Sequence, residues 1–558
     1  MEYLDARRLT GPNILWDRAG SILDVSCTPA EADRLIPYCE ARLREMLDAL
    51  GWEDEAICHA RLAGGASIAF SAPIDALYAA SAINEWAWAC CDAEFNGAER
   101  PDFEATVAAI RTAIDEEVNP ALLVLEQAAD AHGVSFLWDD DDVSVGLGTG
   151  AQTWPFRELP DPSSLDWSSF HDVPTGIVTG TNGKTTTVRI AKHILQSAGK
   201  AVGLSCTDWV SVNDRIIDRD DWSGPGGARM VLRQADVNVA IMETARGGLL
   251  RRGLGVTTAD AALITNIAED HLGDFGSQSL EELLNIKWVV SHAIATSGAL
   301  ILNADDRLLV EKSRSFGGKI VWFSLAADSP VIADHVASGG LAFVYAGGDL
   351  VRIEGTNRET ICSAGEVPIT LDGAAVHNIA NALGAAALTE RLGMSVPQVR
   401  QGLSSMSQDA NPGRSSLYPV RGFKVLVDFA HNPEAMQALF AMARAIPAQR
   451  RVLCFGQAGD RTDQQIRELA RSAWSIGLDL ACIAELEHYR RGREEGEVFG
   501  IIREELIASG ARADQILYFA TEKDSFDAAL QWAEDGDLVV MLDLGRNSDL
   551  QSRLKKLQ

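Results

Sequence analysis

A short stretch rich in glycine and threonine, TGTNGKTT at residues 179–186, holds the side chains of this 558-residue chain that are best suited to binding phosphate. The apolar run TGIVT precedes it, and VRIAKHILQ, whose apolar residues recur with helical spacing, follows it. The sequence therefore predicts a strand, a glycine turn and a helix. In that arrangement backbone N–H groups converge on phosphate oxygens, and the helix N-terminus adds its positive dipole. The usual spacing, G-x-x-x-x-G-K-[ST], is absent, because Val178 stands where the first glycine belongs.

The residue types in this turn suit separate tasks. Lys184 has the reach and the charge for terminal phosphates, and the Thr185 hydroxyl suits a Mg²⁺ ion. The nucleotide-binding residues predicted here are Gly180, Thr181, Asn182, Gly183, Lys184, Thr185 and Thr186. A glycine turn that only caps a helix is the structural alternative, but Gly-Lys-Thr at a strand-to-helix junction favours a nucleotide site.

Composition and charge narrow the class of protein. The formal net charge is −30, which argues against nucleic-acid binding, because phosphate backbones are bound by clustered Lys and Arg. The nine cysteines contain no C-x-x-C pair, so neither a disulfide framework nor a zinc ribbon is expected. No apolar stretch approaches the roughly 20 residues of a membrane span, and the amino terminus lacks the apolar region of a secretory signal. We therefore expect a cytoplasmic protein without a membrane partner.

The alternation of short β-branched runs with helical segments predicts an α/β, multidomain chain. Residues 1–157 are expected to form an α+β N-terminal domain, and residues 158–174, rich in Pro, Ser and Asp, a linker. Residues 175–409 are expected to form a central phosphate-loop domain around a parallel sheet. Residues 410–558 are expected to form a C-terminal Rossmann-like domain.

The shortened spacing of TGTNGKTT resembles the phosphate loop of the Mur ligase superfamily. These ATP-dependent amide ligases include the peptidoglycan Mur enzymes, folylpolyglutamate synthetase and the ligase domain of cyanophycin synthetase. Glu243, after the run VNVAIM, and the stretch Asp270-His271-Leu272 follow in the family's order. The resemblance implies ATP and Mg²⁺ as cofactors, with Thr185 and Glu243 as ligands of one metal and His271 as ligand of a second. Lys287 stands where Mur-type enzymes often carry a lysine modified to a carbamate.

Three later stretches also match the family's order. In HNIAN, Asn378 and Asn381 lie three residues apart and so share one helix face; in the family this element contacts adenine. Arg414, in NPGRSS, matches an arginine that reaches the γ-phosphate, a task that suits a planar guanidinium. In DFAHNP, Asp428 matches an aspartate that binds ribose, and His431 a histidine near the nucleotide.

The resemblance implies an ATP-dependent ligase that joins a carboxylate to an amine through an acyl-phosphate intermediate. The catalytic residues it implies are Lys184, Glu243, His271, Lys287 and Arg414. The expected substrates are an amino acid, with basic amino acids among the candidates, and a carboxylate of a peptide or small metabolite. A homodimer or homotetramer is expected. Two alternatives stay open: a catalytically inactive nucleotide-dependent protein that binds a peptide or polymer, and a ligase similar to folylpolyglutamate synthetase.

Several stretches resemble cyanophycin synthetase more than the peptidoglycan enzymes. They include RRLTGPNIL at residues 7–15, ETARGGLLRRGLG at 243–255 and VGLGTGAQ at 145–152. Cyanophycin synthetase carries an ATP-grasp ligase domain before its Mur-type half, whereas here a short segment separates VGLGTGAQ from the phosphate loop. We therefore expect the chain to lack the ATP-grasp domain and to make a product that the resemblance does not identify.

Overall fold

The structure is a computed structural model that describes residues 1–62, 64–269, 279–544 and 548–557. The chain divides into two compact units. The first comprises residues 1–344, 352–359 and 383–399, and the second comprises residues 345–351, 360–382 and 400–558. The predicted α/β class is confirmed, since large parallel-rich sheets and helices alternate along the chain.

The N-terminal region of the first unit contains an antiparallel sheet, with strand order β1-β2-β4-β3, and a three-stranded sheet, β5-β6-β7. Its elements are β1 Glu2–Leu9, β2 Gly20–Ser26, α1 Pro29–Leu50, β3 Ile57–Leu62, β4 Gly65–Ser71, α2 Leu77–Asn96, α3 Phe103–Glu117, α4 Pro120–Ala131, β5 Phe136–Trp138, β6 Asp142–Val145 and β7 Gln152–Pro155. A capping box of Thr28 and Glu31 begins α1, and Gly51, with φ of 81°, ends it. Helices α1 and α2 cover one face of the four-stranded sheet with a continuous apolar core.

The segment predicted as a linker, residues 158–174, packs against the N-terminal region. Phe170 is 7% exposed and lies in an apolar cluster with α4 and β6. The ring of Trp167 stacks on that of His132 at 4.3 Å between centroids. Burial of these aromatic rings holds the segment in place without regular strands or α-helices.

The central region is built on an eleven-stranded sheet with the order β11-β10-β9-β12-β8-β13-β14-β15-β16-β17-β18. Its elements are β8 Thr175–Thr179, α5 Lys184–Ser197, β9 Val202–Ser205, β10 Val210–Val212, β11 Arg215–Asp218, α6 Pro225–Leu232, β12 Val239–Glu243, α7 Arg246–Arg251, β13 Ala259–Ile264, α8 Leu280–Trp288, β14 Ile294–Asn303, α9 Arg307–Ser313, β15 Ile320–Ser324, α10 Pro330–Ala337, β16 Leu341–Ala346, β17 Asp349–Glu354, β18 Asn357–Ser363, α11 Val376–Arg391 and α12 Val396–Ser405. Strands β9, β12, β8, β13, β14, β15 and β16 run parallel. Every residue of β8 and β12 is buried, as expected for strands covered on both faces.

The C-terminal region has a six-stranded sheet with the order β19-β20-β24-β21-β22-β23, in which only the β19–β20 pair is antiparallel. Its elements are β19 Ser416–Val420, β20 Phe423–Asp428, α13 Pro433–Ala445, β21 Arg451–Phe455, α14 Asp463–Trp474, β22 Leu480–Ala484, α15 Glu497–Ala508, β23 Ile516–Phe519, α16 Glu522–Trp532, β24 Leu538–Leu542 and α17 Ser548–Leu557. The predicted Rossmann-like layout of strands and helices is confirmed. Within the part of the chain that is described, no helix is both long enough and apolar enough to span a membrane.

Replacing Phe170 by Ala tests the packing of residues 158–174. The substitution leaves a cavity beside Trp167, so we expect the free energy of unfolding to fall by about 3–5 kcal/mol. Chemical denaturation measures this change, and proteolysis within the segment should accelerate. Val124→Ala, at a 52% exposed position of α4, is the control and should shift stability by less than about 0.5 kcal/mol. Wild-type stability of Phe170→Ala would contradict the packed arrangement.

Candidate active site

The glycine turn lies between β8 and α5, as the sequence predicts. Gly180 has φ of 142°, and a Cβ added there would lie 1.9 Å from Thr265 Oγ1. Gly183, directly before α5, has φ of 83°. Side chains at these two positions would therefore clash or adopt a strained backbone conformation. The turn requires its first glycine at position 180, whereas Val178 is a buried residue of β8 that precedes the turn.

The residues that follow β13 hold the turn in shape. Thr181 N–H donates to the Asn266 carbonyl oxygen at 2.9 Å, and Asn182 N–H donates to Asn266 Oδ1 at 2.9 Å. Thr265 Oγ1 donates to the Asn182 carbonyl oxygen at 2.6 Å. The sequence analysis did not select Asn266. The feature that could have identified it is its position two residues after the end of β13, a strand of the same sheet. These bonds fix the backbone of the turn before any phosphate binds.

Glu243 ends β12, the strand that neighbours β8, and is 1% exposed. Its Oε1 accepts hydrogen bonds from Thr185 Oγ1 at 3.1 Å and from Thr207 Oγ1 at 2.7 Å. Its Oε2 accepts the Thr207 N–H at 3.2 Å. The structure therefore brings the predicted carboxylate and the predicted threonine together. The sequence analysis did not select Thr207. The feature that could have identified it is its position shortly after β9, the other neighbour of β12.

The surroundings of Glu243 fit a divalent cation. Among the described residues, the groups that donate to Glu243 are neutral hydroxyl and amide donors, so the charge of the carboxylate is left for a cation to neutralise. Mg²⁺ prefers oxygen ligands and, when bound with nucleotide phosphates, takes only one or two carboxylates from a protein. Within the described ranges, no group of three or more His, Cys, Asp or Glu side chains is arranged to hold a metal ion. The oxygens of Glu243 and Thr185 therefore fit Mg²⁺ held jointly with phosphate.

Two lysines contact the backbone of the turn. Lys184, the first residue of α5, donates from Nζ to the Thr181 carbonyl oxygen at 2.8 Å. Lys287, on α8 and 4% exposed, donates from Nζ to the Gly180 carbonyl oxygen at 2.8 Å. The predicted lysines are thus both at the turn.

Residues 270–278, which include the predicted metal ligand His271, lie outside the described residues.

In the second unit, Asp428 is the centre of a separate polar cluster. Asp428 Oδ2 accepts the Ser415 N–H at 2.6 Å and the Ser415 Oγ hydroxyl at 3.0 Å. His377 Nε2 lies 2.9 Å from Ser415 Oγ. Because that hydroxyl donates to Asp428, the imidazole donates from Nε2–H to Ser415 Oγ. Ser415 has φ of 50°. The sequence analysis did not select it, although it directly follows the predicted residue Arg414.

Burial lowers the pKa of His377, and the nearby Asp428 carboxylate opposes this shift only in part. The histidine therefore stays neutral in the folded chain at a pH where an unfolded one is protonated. The neutral form is also the one that leaves Nδ1 without a proton while Nε2–H donates to Ser415.

The remaining predicted residues of the second unit form two further groups of contacts. The Arg414 guanidinium lies 4.7 Å from the centroid of the Phe429 ring, and His431 Nδ1 lies 3.0 Å from the Phe429 carbonyl oxygen. Asn381 Nδ2 donates to Asn378 Oδ1 at 3.1 Å, and Asn378 Nδ2 donates to the Ile369 carbonyl oxygen. The two asparagines therefore share a helix face, as predicted, and bond to each other.

Replacing Thr207 by Ala removes the hydroxyl that orients Glu243. Loss of a group that positions a metal ligand typically lowers metal affinity by about 10–100-fold, so we expect ADP binding to need more Mg²⁺ by about that factor. Calorimetric titration of ADP over a Mg²⁺ series measures it. Thr207→Ser should restore most of the affinity, and Thr112→Ala, at an exposed site on α3, should have no effect. An unchanged Mg²⁺ requirement in Thr207→Ala would count against this role.

The neutral state of the buried His377 predicts how the free energy of unfolding depends on pH. Below about pH 6.5 the unfolded chain protonates this histidine while the folded chain does not, so its contribution to stability is lost as the pH falls. We expect the free energy of unfolding to fall less steeply with acidification in His377→Gln than in the wild type. Denaturation at several pH values tests this, with His488→Gln as the exposed control. Equal pH slopes for His377→Gln and the wild type would contradict the neutral imidazole.

Two family models match this chain. Residues 178–389 match the Mur ligase middle domain, and residues 413–542 match the Mur ligase, glutamate ligase domain. The residues described above in each of the two units fall inside these matches.

Relatives and solved structures agree with this assignment. Cyanophycin synthetase of Geminocystis herdmanii is 36% identical over 373 residues, which are 66% of this chain and 42% of that protein. The chain thus spans less than half the length of that relative. UDP-N-acetylmuramoyl-L-alanyl-D-glutamate–2,6-diaminopimelate ligase 1 of Clostridium acetobutylicum is 25% identical over 66% of this chain and 73% of its own. Escherichia coli FolC, in complex with DHPP and ADP, shares the fold, with a TM-score of 0.52 and 21% identity over 68% of this chain and 89% of its own. The chain belongs to the Mur ligase family.

Proposed function

We propose that this protein is an ATP-dependent carboxylate–amine ligase that forms an amide or isopeptide bond. One observation carries the proposal: Glu243 and the Thr185 hydroxyl are 3.1 Å apart at the N-terminus of α5, beside a glycine turn that contains Lys184. A helix N-terminus, a lysine and a metal-binding carboxylate form the arrangement that phosphoryl transfer requires. ADP in the related fold of FolC and the ligase names of the relatives support ATP as the co-substrate.

The proposed reaction has two steps. A substrate carboxylate oxygen attacks the γ-phosphorus of ATP, the bond to the β,γ-bridging oxygen breaks, and an acyl phosphate and ADP result. An amine then attacks the acyl carbon, inorganic phosphate leaves, and the nitrogen loses a proton as the amide forms. Little covalent chemistry falls to the protein, so positioning and charge stabilisation carry catalysis.

Residues of the first unit are assigned to the phosphates. The N–H groups of the turn hold phosphate oxygens, and the Lys184 ammonium stabilises the charge on the transferred group. Glu243 and Thr185 would hold Mg²⁺, which would supply further positive charge at the β- and γ-phosphates. Lys287, at the Gly180 carbonyl, is proposed to act next to the same group, with its side chain as an amine or a carbamate. His271 is proposed as the ligand of a second metal.

Residues of the second unit are assigned to the rest of the nucleotide. We assign Asp428 to the ribose, His431 to a position near the nucleotide, and Asn378 and Asn381 to adenine. The Arg414 guanidinium, which rests on the Phe429 ring, is assigned to the γ-phosphate because it is planar and permanently charged. The substrates proposed are an amino acid, basic ones included, and a carboxylate of a peptide or metabolite, in a cytoplasmic homodimer or homotetramer.

Lys184→Ala and Glu243→Ala test this function directly. Each substitution removes a charge needed for phosphoryl transfer, so ADP release in the presence of both substrates should fall by roughly 10²–10³-fold or more. A coupled ADP assay with panels of carboxylates and amines measures it, and mass spectrometry identifies the amide. Lys200→Ala, at an exposed lysine after α5, is the control. ADP release that no amine increases would favour a binding protein, and full turnover by Lys184→Ala would refute the assignment.

A further inference from the structure

Four arginines lie together in the first unit, where the N-terminal region meets helices α6 and α7. We name them the arginine cluster: Arg8 on β1, Arg229 on α6, Arg233 directly after α6, and Arg252 directly after α7. None of them belongs to the phosphate-binding turn. The stretches RRLTGPN and ETARGGLLRRGLG, which the candidate active site uses only in part, supply two of the four.

Two members of the cluster have well-formed carboxylate partners. Arg8 donates from NH1 and NH2 to the two oxygens of Asp140 at 2.6 and 3.0 Å, and its guanidinium lies 3.7 Å from the centroid of the Tyr78 ring. Arg233 donates to Asp139 Oδ2 at 2.6 Å. Asp140 and Asp139 are therefore already paired with Arg8 and Arg233, two of the four arginines.

The other two members are poorly compensated. Arg229 Nε lies 3.4 Å from Asp139 Oδ2, yet it makes no hydrogen bond of acceptable geometry. Arg252 has no ion pair and no side-chain hydrogen bond among the described residues. Burial lowers the pKa of both guanidiniums, neighbouring arginines lower it further, and nearby aspartates, Asp139 for Arg229 and Asp140 for both, oppose the shift only in part. Both remain charged at neutral pH, so an anion in contact with them would be stabilised.

The backbone fixes the place of Arg252. Thr10 N–H donates to the Arg252 carbonyl oxygen at 3.0 Å, and Leu254 N–H donates to the Pro12 carbonyl oxygen at 2.7 Å. Arg7 NH2 donates to the Leu250 carbonyl oxygen at 2.9 Å. Hydrogen bonds that involve the backbone on both sides of Arg252, one of them from the Arg7 side chain, therefore hold it beside Arg8, despite their like charges.

The cluster is accessible at one edge, and a short helix connects it to the strand that ends at Glu243. Tyr78 is 56% exposed, and the Asp140 side chain is 54% exposed, so solutes can reach this edge of the cluster. Helix α7 contains six residues and is therefore about 9 Å long. It begins three residues after Glu243 and ends directly before Arg252, so a single short helix separates the two residues along the chain.

We propose that Arg252 and Arg229 form a subsite for a second carboxylate of the acceptor substrate, the one that does not react. The proposal rests on the ligase function proposed above and narrows its acceptor to molecules with at least two carboxylates. A guanidinium binds a carboxylate with two parallel hydrogen bonds, which gives both affinity and orientation.

The test measures binding of the dicarboxylates succinate, adipate and suberate to the full-length protein. Calorimetry is run with Mg²⁺ and a non-hydrolysable ATP analogue, and the matched probe is the monoamide of each acid. We expect at least one dicarboxylate to bind about tenfold more tightly than its monoamide, as a charge-assisted pair would give. Arg252→Gln should abolish that difference, and Arg252→Lys should retain part of it, since lysine keeps the charge but not the planar fork.

Arg512→Gln is the matched control, because Arg512 is an exposed arginine of the second unit in an ion pair with Asp514. It should bind each probe as the wild type does. Equal binding of every dicarboxylate by the wild type and Arg252→Gln would overturn the subsite. So would Arg252-dependent binding of inorganic phosphate without any such effect on the dicarboxylates. Unfolding temperatures of all variants exclude a general loss of structure.

The two proposals can fail separately. If no carboxylate and amine stimulate ADP release but Arg252-dependent binding of a dicarboxylate persists, the ligase function is wrong, and what stands is a dicarboxylate-binding site at Arg252 that serves no ligase acceptor. If turnover occurs and Arg252→Gln leaves the KM of every dicarboxylate acceptor unchanged, the subsite is wrong and the ligase function stands. A raised KM with unchanged kcat in Arg252→Gln is the result expected of a subsite that binds the acceptor without touching the reacting atoms.

Discussion

The parallel pairing of β8 with β12 is the constraint on which the candidate active site depends. Val178 pairs with Glu243 in this register, so the glycine turn and the carboxylate leave the sheet at the same edge. Thr185, one residue into α5, then reaches Glu243 without any loop having to move. Because the two strands are buried along their whole length, separating these groups would require breaking the core of the first unit.

The turn itself is held by contacts that involve no ligand. Asn266 and Thr265 bond to its backbone from the next strand of the sheet, and Lys287 bonds to its first glycine from α8. Such bonds fix the direction of the N–H groups in advance, which lowers the entropic cost of ordering the turn around phosphate. Thr207 does the same for Glu243, since its backbone and its hydroxyl both donate to the carboxylate.

Polar groups are also organised in advance outside the turn. In the second unit, Asp428 holds Ser415 in a left-handed conformation, and Ser415 in turn accepts a hydrogen bond from a buried neutral His377. In the first unit, the N-terminal region bonds to the backbone around Arg252 and keeps that arginine near α7. The N-terminal region is therefore hydrogen-bonded to the segment that follows α7.

The sequence by itself determined the α/β class, the strand–turn–helix unit at residues 179–186 and the order of the family's motifs, because periodicity and local residue types are read along the chain. It did not reveal Thr207, Asn266 or Ser415, since each acts on a residue distant in sequence that only strand pairing or a tight turn brings near. It also predicted a linker at residues 158–174, whose aromatic rings pack on the N-terminal region. Hydrogen bonds and packing between distant segments are decided by the tertiary structure, where burial penalises any polar group left without a partner.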